Sequence, residues 1–161
     1  LHDRLIKVWN STSRSIKAEF PVAADFGLGT PLALSDDGAI LAAGSNPITE
    51  TENAIRLWDT GSGILVGICK GHTQGVRWLA FSPDDQTLAS VSDDSTLRFW
   101  NVRTRQELLS IQRLADPIRD ILFSPDGHWL AARTLGGLRL LDASTDRDRG
   151  KTSMENSPAD R

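Results

Sequence analysis

The chain has 161 residues, of which 39% are hydrophobic, and 18 basic against 21 acidic side chains give it a formal net charge of −3. This size allows one ordinary domain, and the balanced charge argues against a nucleic-acid partner, which usually requires a basic surface. The single cysteine excludes an internal disulfide, and no apolar run approaches the ~20 residues of a membrane span, so we expect no membrane partner and a cytoplasmic location.

Similar short stretches recur along the chain. The strings "RLIKVWN", "NAIRLWD", "STLRFWN" and "GGLRLLD" end at Asn10, Asp59, Asn101 and Asp142. A second landmark, the phenylalanine of "FSPD", recurs at Phe81 and Phe123, which are 42 residues apart. Two landmarks with one period indicate an array of repeats rather than a single irregular fold.

The first two units are irregular. Residues 1–20 correspond only to the last strands of a truncated unit, and residues 21–70 form a unit that is lengthened by an insertion at 46–53. This insertion, "NPITETEN", carries Glu50 and Glu52, which we expect to project from a loop as candidate partner-binding residues. A simple solvated loop is the alternative interpretation.

Residues 71–112 form the most complete unit. Alternating apolar residues predict four strands, Val76–Phe81, Thr87–Ser92, Thr96–Trp100 and Glu107–Ile111. A Ser-Pro-Asp-Asp sequence between the first two strands favours a type I turn, because proline fixes φ at its second position. Four short antiparallel strands with no helical spacing are typical of a propeller blade, so we predict an all-β fold of about three and a half blades.

The last unit, residues 113–142, is degenerate. Leu135 and Leu141 stand where the preceding unit has Asp94 and Trp100, and the unit is expected to lack its outer strand. Residues 143–161 have almost no apolar side chains, which predicts a flexible polar tail because such a segment cannot bury enough surface to fold.

These motifs resemble the WD40-repeat β-propeller family. The resemblance rests on Gly71-His72, on the "FSPD" turns and on the strand ends "VWN", "LWD" and "FWN". It implies a structural hydrogen-bonded tetrad in the most complete blade, with Ser92 a less favoured substitute for its serine. The members of that tetrad are His72, Ser90, Asp94 and Trp100.

The same residue types could make up a serine hydrolase. However, no Gly-x-Ser-x-Gly elbow surrounds any serine, and Ser90 is predicted to lie within a strand rather than on an exposed turn. We therefore expect no catalytic residue in this chain. The aspartate-rich turns lack the spacing of a calcium loop, so neither a metal nor a cofactor is expected.

Partner binding is expected at the end of the blades that carries the Gly-His loop. Gln74, Asp93 and Asp116 should lie there with the two glutamates of the insertion, and the turns at Asp36-Asp37, Asp84-Asp85 and Asp126-Gly127 should lie at the opposite end. An acidic end of this kind would attract a basic or hydrogen-bonding protein or peptide.

The leading interpretation of function is a non-catalytic protein-interaction scaffold that forms the C-terminal part of a larger protein. The alternative is the regulatory propeller of a signalling enzyme such as a bacterial serine/threonine kinase. We expect Leu5, Val8, Leu138 and Leu140 to lie on uncovered blade faces. Missing blades of the same longer chain, or self-association, would cover those faces.

Overall fold

A computed structural model describes residues 5–21, 29–45, 53–112 and 116–143. Every regular element in these ranges is a β-strand, and the thirteen strands form four separate antiparallel sheets. No helix long and apolar enough to cross a membrane occurs in these ranges. The predicted all-β fold of successive blades is therefore confirmed.

The first two sheets contain six strands. The first sheet pairs β1 (Leu5–Asn10) with β2 (Ser15–Pro21). The second has the order β3 (Leu32–Leu34), β4 (Ile40–Gly44), β5 (Ala54–Asp59) and β6 (Leu65–Lys70). Consecutive strands are neighbours throughout, which is the meander that short turns produce.

The third and fourth sheets repeat this arrangement. The third contains β7 (Val76–Phe81), β8 (Thr87–Ser92), β9 (Leu97–Asn101) and β10 (Glu107–Ile111), and the fourth contains β11 (Ile118–Phe123), β12 (Trp129–Thr134) and β13 (Gly137–Asp142). Three of the four strands predicted for the most complete blade have the observed bounds. The third is shifted by one residue at each end, from the predicted Thr96–Trp100 to Leu97–Asn101. Thr96 belongs to the turn instead, where its hydroxyl donates to the Asp94 carboxylate.

Three apolar clusters join consecutive blades face to face. Leu97 and Phe99 of β9 pack with Ile121 and Leu130 of the fourth sheet, and the other clusters join the second sheet to the third and the first to the second. The first strand of the third blade, β7, also contacts the first strands β3 and β11 of the neighbouring blades. Strands β8 and β9 each serve two interfaces, because their alternate side chains face the preceding and the following blade.

One turn design recurs at the start of three blades. In the turn between β7 and β8, the Ser82 hydroxyl donates to Asp84 at 2.5 Å and accepts from the Thr87 amide at 2.9 Å. Equivalent bonds join Ser35 to Asp37 and Ser124 to Asp126. The serine hydroxyl thus connects the turn to the start of the second strand, which explains why "S-x-D" repeats with the blade.

The expectation that Val8 lies on an uncovered face is wrong. Val8 is buried in the cluster formed with Phe20, Leu41 and Trp58, because it points from β1 toward the second blade. The large apolar residue of β1 that is exposed is Trp9. Leu5 is half-buried.

Candidate functional site

The loop of residues 71–75 and the turn of residues 93–96 meet at one end of the third blade. The Asp93 amide donates to the Gly75 carbonyl at 2.9 Å, and the Ser92 hydroxyl donates to the Gln74 carbonyl at 3.0 Å. These bonds hold the Gly-His loop against the β8–β9 turn. We call this end of the blades the loop end.

The structure places His72, Ser90, Asp94 and Trp100 in one chain of hydrogen bonds. The Trp100 indole donates to the Ser90 hydroxyl at 2.7 Å, and that hydroxyl lies 2.7 Å from His72 Nε2. His72 Nδ1 lies 2.9 Å from the Asp94 carboxylate. Since a carboxylate can only accept, Nδ1 carries the proton, Nε2 accepts from Ser90, and the serine oxygen accepts from the indole.

The Asp94 carboxylate is bound from several sides. It also accepts from the Thr73 amide at 3.0 Å, from the Thr96 amide at 3.0 Å and from the Thr96 hydroxyl at 2.6 Å. Burial alone would raise the pKa of Asp94, but these donors and His72 outweigh it and lower the pKa to about 2. The group is therefore an anion at neutral pH, and it joins the loop, the turn and the histidine.

His72 is neutral in the folded chain. Burial lowers the pKa of His72 below its usual value, and this effect exceeds the opposing influence of the bonded Asp94 carboxylate. A neutral imidazole fits its two bonds, one donated to Asp94 and one accepted from Ser90.

This arrangement is poorly suited to catalysis. A nucleophilic serine must reach a substrate, but Ser90 is 0% exposed, and its oxygen is bonded to both the indole and the imidazole. The set nevertheless ties four elements together, because its members come from the Gly-His loop, β8, the β8–β9 turn and β9. The geometry therefore supports a structural role, in which this hydrogen-bonded set holds the loop end in place.

The neighbouring blades lack this set. Ala43 and Ala132 stand at the position of Ser90 in β4 and β12 and carry no hydroxyl. In the fourth blade, β12 turns into β13 through Leu135 and Gly136, and Leu135 stands at the position of the capping carboxylate without a polar side chain. Apolar packing holds these blades instead.

The candidate partner-binding residues divide into two groups. Gln74 and Asp93 are exposed and Asp116 is half-buried, and all three lie at the loop end. Glu50 and Glu52 fall outside the described residues. The predicted acidic character of this end stays a prediction, and both of its described aspartates are paired with arginines.

Sequence reasoning missed these arginines. Arg77 of β7 binds the Asp93 carboxylate through Nε at 2.7 Å and through Nη2 at 2.6 Å, and Arg139 lies 3.7 Å from Asp116. The strand register places Asp93 opposite Gly75, two residues before Arg77, and a bulge lies between Val76 and Trp78. Arg77 is therefore a diagonal neighbour of Asp93, and a long side chain can reach a diagonal neighbour across a strand pair. The loop end therefore presents exposed ion pairs of mixed charge.

The other polar or reactive groups of the described residues do not gather into a metal site. Among residues 5–21, 29–45, 53–112 and 116–143, no three His, Cys, Asp or Glu side chains come together in a way that could hold a metal ion. Cys69 is buried in β6, and burial raises the pKa of its thiol to about 11. His128 is exposed in the β11–β12 turn, and His2 lies outside the described ranges.

Four-stranded antiparallel blades stacked face to face define the β-propeller class of repeat protein. A family model for the WD domain, G-beta repeat, matches residues 63–101. The chain belongs to the WD40-repeat β-propeller family. This match spans the Gly-His loop and the hydrogen-bonded set up to Asn101.

Several known proteins are similar to parts of this chain. WD repeat-containing protein 90 of Mus musculus is 40% identical over 97 residues, which are 58% of this chain and 5% of that protein. Target of rapamycin complex subunit wat1 of Schizosaccharomyces pombe is 32% identical over 147 residues, which are 88% of this chain and 43% of that protein. Eukaryotic translation initiation factor 3 subunit I of Aspergillus terreus is 31% identical over 121 residues, or 71% of this chain and 34% of that protein. The chain thus spans less than half of each of these relatives.

Proposed function

We propose that the chain is a non-catalytic interaction module that presents its loop end to a protein or peptide partner. One observation carries this proposal. The side chains that could have done chemistry are buried and bonded to one another, whereas the loop end they fix exposes polar groups to solvent. Loops on a rigid scaffold are where binding residues usually collect, because they vary at little cost to the core.

The names of the relatives support a protein partner. One relative is a subunit of the target of rapamycin complex and another is a subunit of a translation initiation factor, so each belongs to an assembly of several proteins. The kinase-linked alternative stays a prediction, and it differs only in what would be attached to this module.

The chemistry of the loop end defines the kind of partner. The ion pair of Arg77 with Asp93 is exposed, and Leu135 projects from the neighbouring turn of the fourth blade. A partner segment with polar groups of both signs and one apolar side chain would fit. Because exposed charges are screened by salt, binding should weaken as ionic strength rises.

The test compares the two ends of one blade. The double variant Arg77→Ala with Asp93→Ala removes the exposed pair at the loop end without leaving one charge alone. Arg103→Ala serves as the control, since Arg103 is exposed in the β9–β10 turn at the opposite end. We expect the double variant to weaken binding of a partner recovered by pull-down at least tenfold, and the control to bind like the parent.

Two outcomes would contradict the proposal. Binding that is lost with Arg103→Ala but retained in the double variant would place the partner at the end of the blade opposite the loop end. An esterase or peptidase activity that disappears with Ser90→Ala, while the melting temperature is unchanged, would show that the buried set is catalytic.

A further inference from the structure

Strands β7 and β11 carry the same irregularity near the loop end. In each strand the pairing with the following strand shifts register around one extra residue, which forms a β-bulge. That residue is an arginine in both cases, Arg77 in the third blade and Arg119 in the fourth. A β-bulge changes the direction in which a side chain points, and bulges are common beside functional sites.

The two arginines differ in the side chain that stands opposite them. Arg77 is paired with the Asp93 carboxylate through both Nε and Nη2. Asp93 directly follows β8, and the residue that directly follows β12 is Leu135. Because the β12–β13 turn is also shorter than the β8–β9 turn, Leu135 stands in place of both aspartates of that turn. The counter-ion that Arg77 binds therefore has no equivalent in the fourth blade.

Arg119 carries a charge that the fourth blade does not compensate at this end. Its side chain is exposed, and within the described ranges it makes no hydrogen bond or ion pair. The two nearest aspartates in sequence each have an arginine of their own, since Asp116 is paired with Arg139 at 3.7 Å and Asp120 is paired with Arg133. A guanidinium in this state can bind a carboxylate with two parallel N–H···O bonds.

Two partly exposed apolar side chains lie near this cation. Leu135 is 66% exposed and occupies the position of the missing counter-ion. Trp78 is 42% exposed, and its indole N–H donates at 3.1 Å to the carbonyl of Ile121, two residues beyond Arg119 in β11. That bond holds the tryptophan across the junction of the third and fourth blades while part of its side chain stays in contact with solvent. A partner that covers these groups gains free energy from their burial.

We propose that Arg119, together with Leu135 and Trp78, is the contact point for an acidic residue of a peptide partner that carries an apolar side chain beside it. This inference rests on the proposed function, because it requires the partner to bind at the loop end. The partner's carboxylate takes the place that Asp93 has in the third blade, and its apolar side chain covers the leucine. At this point the partner is acidic, whereas the sequence predicted an acidic loop end that attracts basic groups.

The test selects ligands from a phage-displayed library of short random peptides. The library is applied to the full chain and, in parallel, to Arg119→Glu, which reverses the exposed charge. We expect the parent chain to enrich peptides with Asp or Glu beside Leu, Ile or Phe, and Arg119→Glu to lose them. Arg103→Glu is the matched control, because Arg103 is exposed at the opposite end and its variant should enrich the same peptides as the parent.

The most strongly enriched acidic peptide is then synthesised with a fluorescent label, and its binding is measured by fluorescence anisotropy. Arg119→Gln should weaken binding roughly three- to fivefold, and Arg119→Glu should weaken it roughly tenfold or more. A peptide whose acidic residue is replaced by lysine should bind Arg119→Glu better than it binds the parent. This reciprocal exchange identifies the interacting pair, because a damaged fold cannot restore binding. The melting temperatures should agree within about 2 °C, since Arg119 is exposed and unbonded.

Three results would overturn the inference. The first is a parent chain that enriches no acidic peptides, and the second is an acidic peptide that binds the parent and both Arg119 variants alike. If that peptide is lost with the Arg77→Ala and Asp93→Ala double variant, the acidic contact is wrong but the loop end is still the binding site. The third is a peptide that is lost with Arg103→Glu and kept by every loop-end variant, which would contradict the proposed function as well.

Discussion

Replacement of Ser90 by alanine tests the central hydrogen-bonded set most directly. The variant removes one oxygen and leaves two buried groups without a partner, the indole N–H of Trp100 and Nε2 of His72. Each buried unsatisfied group costs about 1–3 kcal/mol, so we expect a loss of about 2–4 kcal/mol in the free energy of unfolding. For a chain of this length that corresponds to a melting temperature lower by roughly 5–12 °C.

A double-mutant cycle separates this network from simple packing. Trp100→Phe keeps a large ring but removes the donor, so Ser90→Ala should cost about 1 kcal/mol less in that background. Ser92→Ala is the control, because Ser92 is also buried but bonds to the Gln74 carbonyl and the Asp94 amide instead. Its effect should add to that of Trp100→Phe.

Urea unfolding followed by far-UV circular dichroism measures all of these variants without relying on tryptophan emission. A cost below about 0.5 kcal/mol for Ser90→Ala, or a cycle without coupling, would refute the reasoning. Either result would mean that the four side chains meet without stabilising the blade.

Two further predictions concern a contact between the third and second blades and a buried thiol of the second blade. Asp85 has a left-handed φ of 57°, and its carboxylate accepts from the amides of Asp36 and Asp37 in the preceding blade at 2.7 and 3.0 Å. Asp85→Ala should lower the free energy of unfolding by about 1–2 kcal/mol and Asp85→Gly by less, because glycine tolerates that φ; a glycine variant more stable than the parent in urea would contradict this. Cys69 is buried with a raised pKa, so it should react with a thiol reagent at pH 8 only after unfolding, and rapid labelling of the native chain would contradict its burial.

The strands of the most complete blade were predictable because their signals are local. Apolar alternation and the turn around Pro83 fix β7 and β8 without reference to the rest of the chain. The grouping of His72 with Ser90 and Asp94 was implied by a family resemblance. The spacing of these residues along the chain could not have distinguished this structural set from the catalytic residues of a hydrolase.

Contacts between blades were not predictable in the same way. The Asp85 carboxylate meets amides 48 and 49 residues away, and nothing near it distinguishes it from an ordinary turn aspartate. Val8 was placed on the wrong side of β1 because alternation defines two faces of a strand but not which neighbour covers each face.

The hydrogen-bonded set should also make stability depend on pH in a definite direction. The pKa of His72 is below its unfolded value of about 6.5, so between these two values the unfolded chain binds a proton that the folded chain does not. The free energy of unfolding must therefore fall as pH drops from 7 to 5. Asp94, with its pKa lowered to about 2, acts in the same direction, but only as pH falls below its unfolded value of about 4.

His72→Gln should be less stable than the parent at pH 7 and should show a flatter profile between pH 7 and 5, whereas His128→Gln, at an exposed position, should keep the parent's slope. Urea unfolding at several pH values measures both, and a parent profile that is flat in this range would mean that the buried imidazole does not resist protonation.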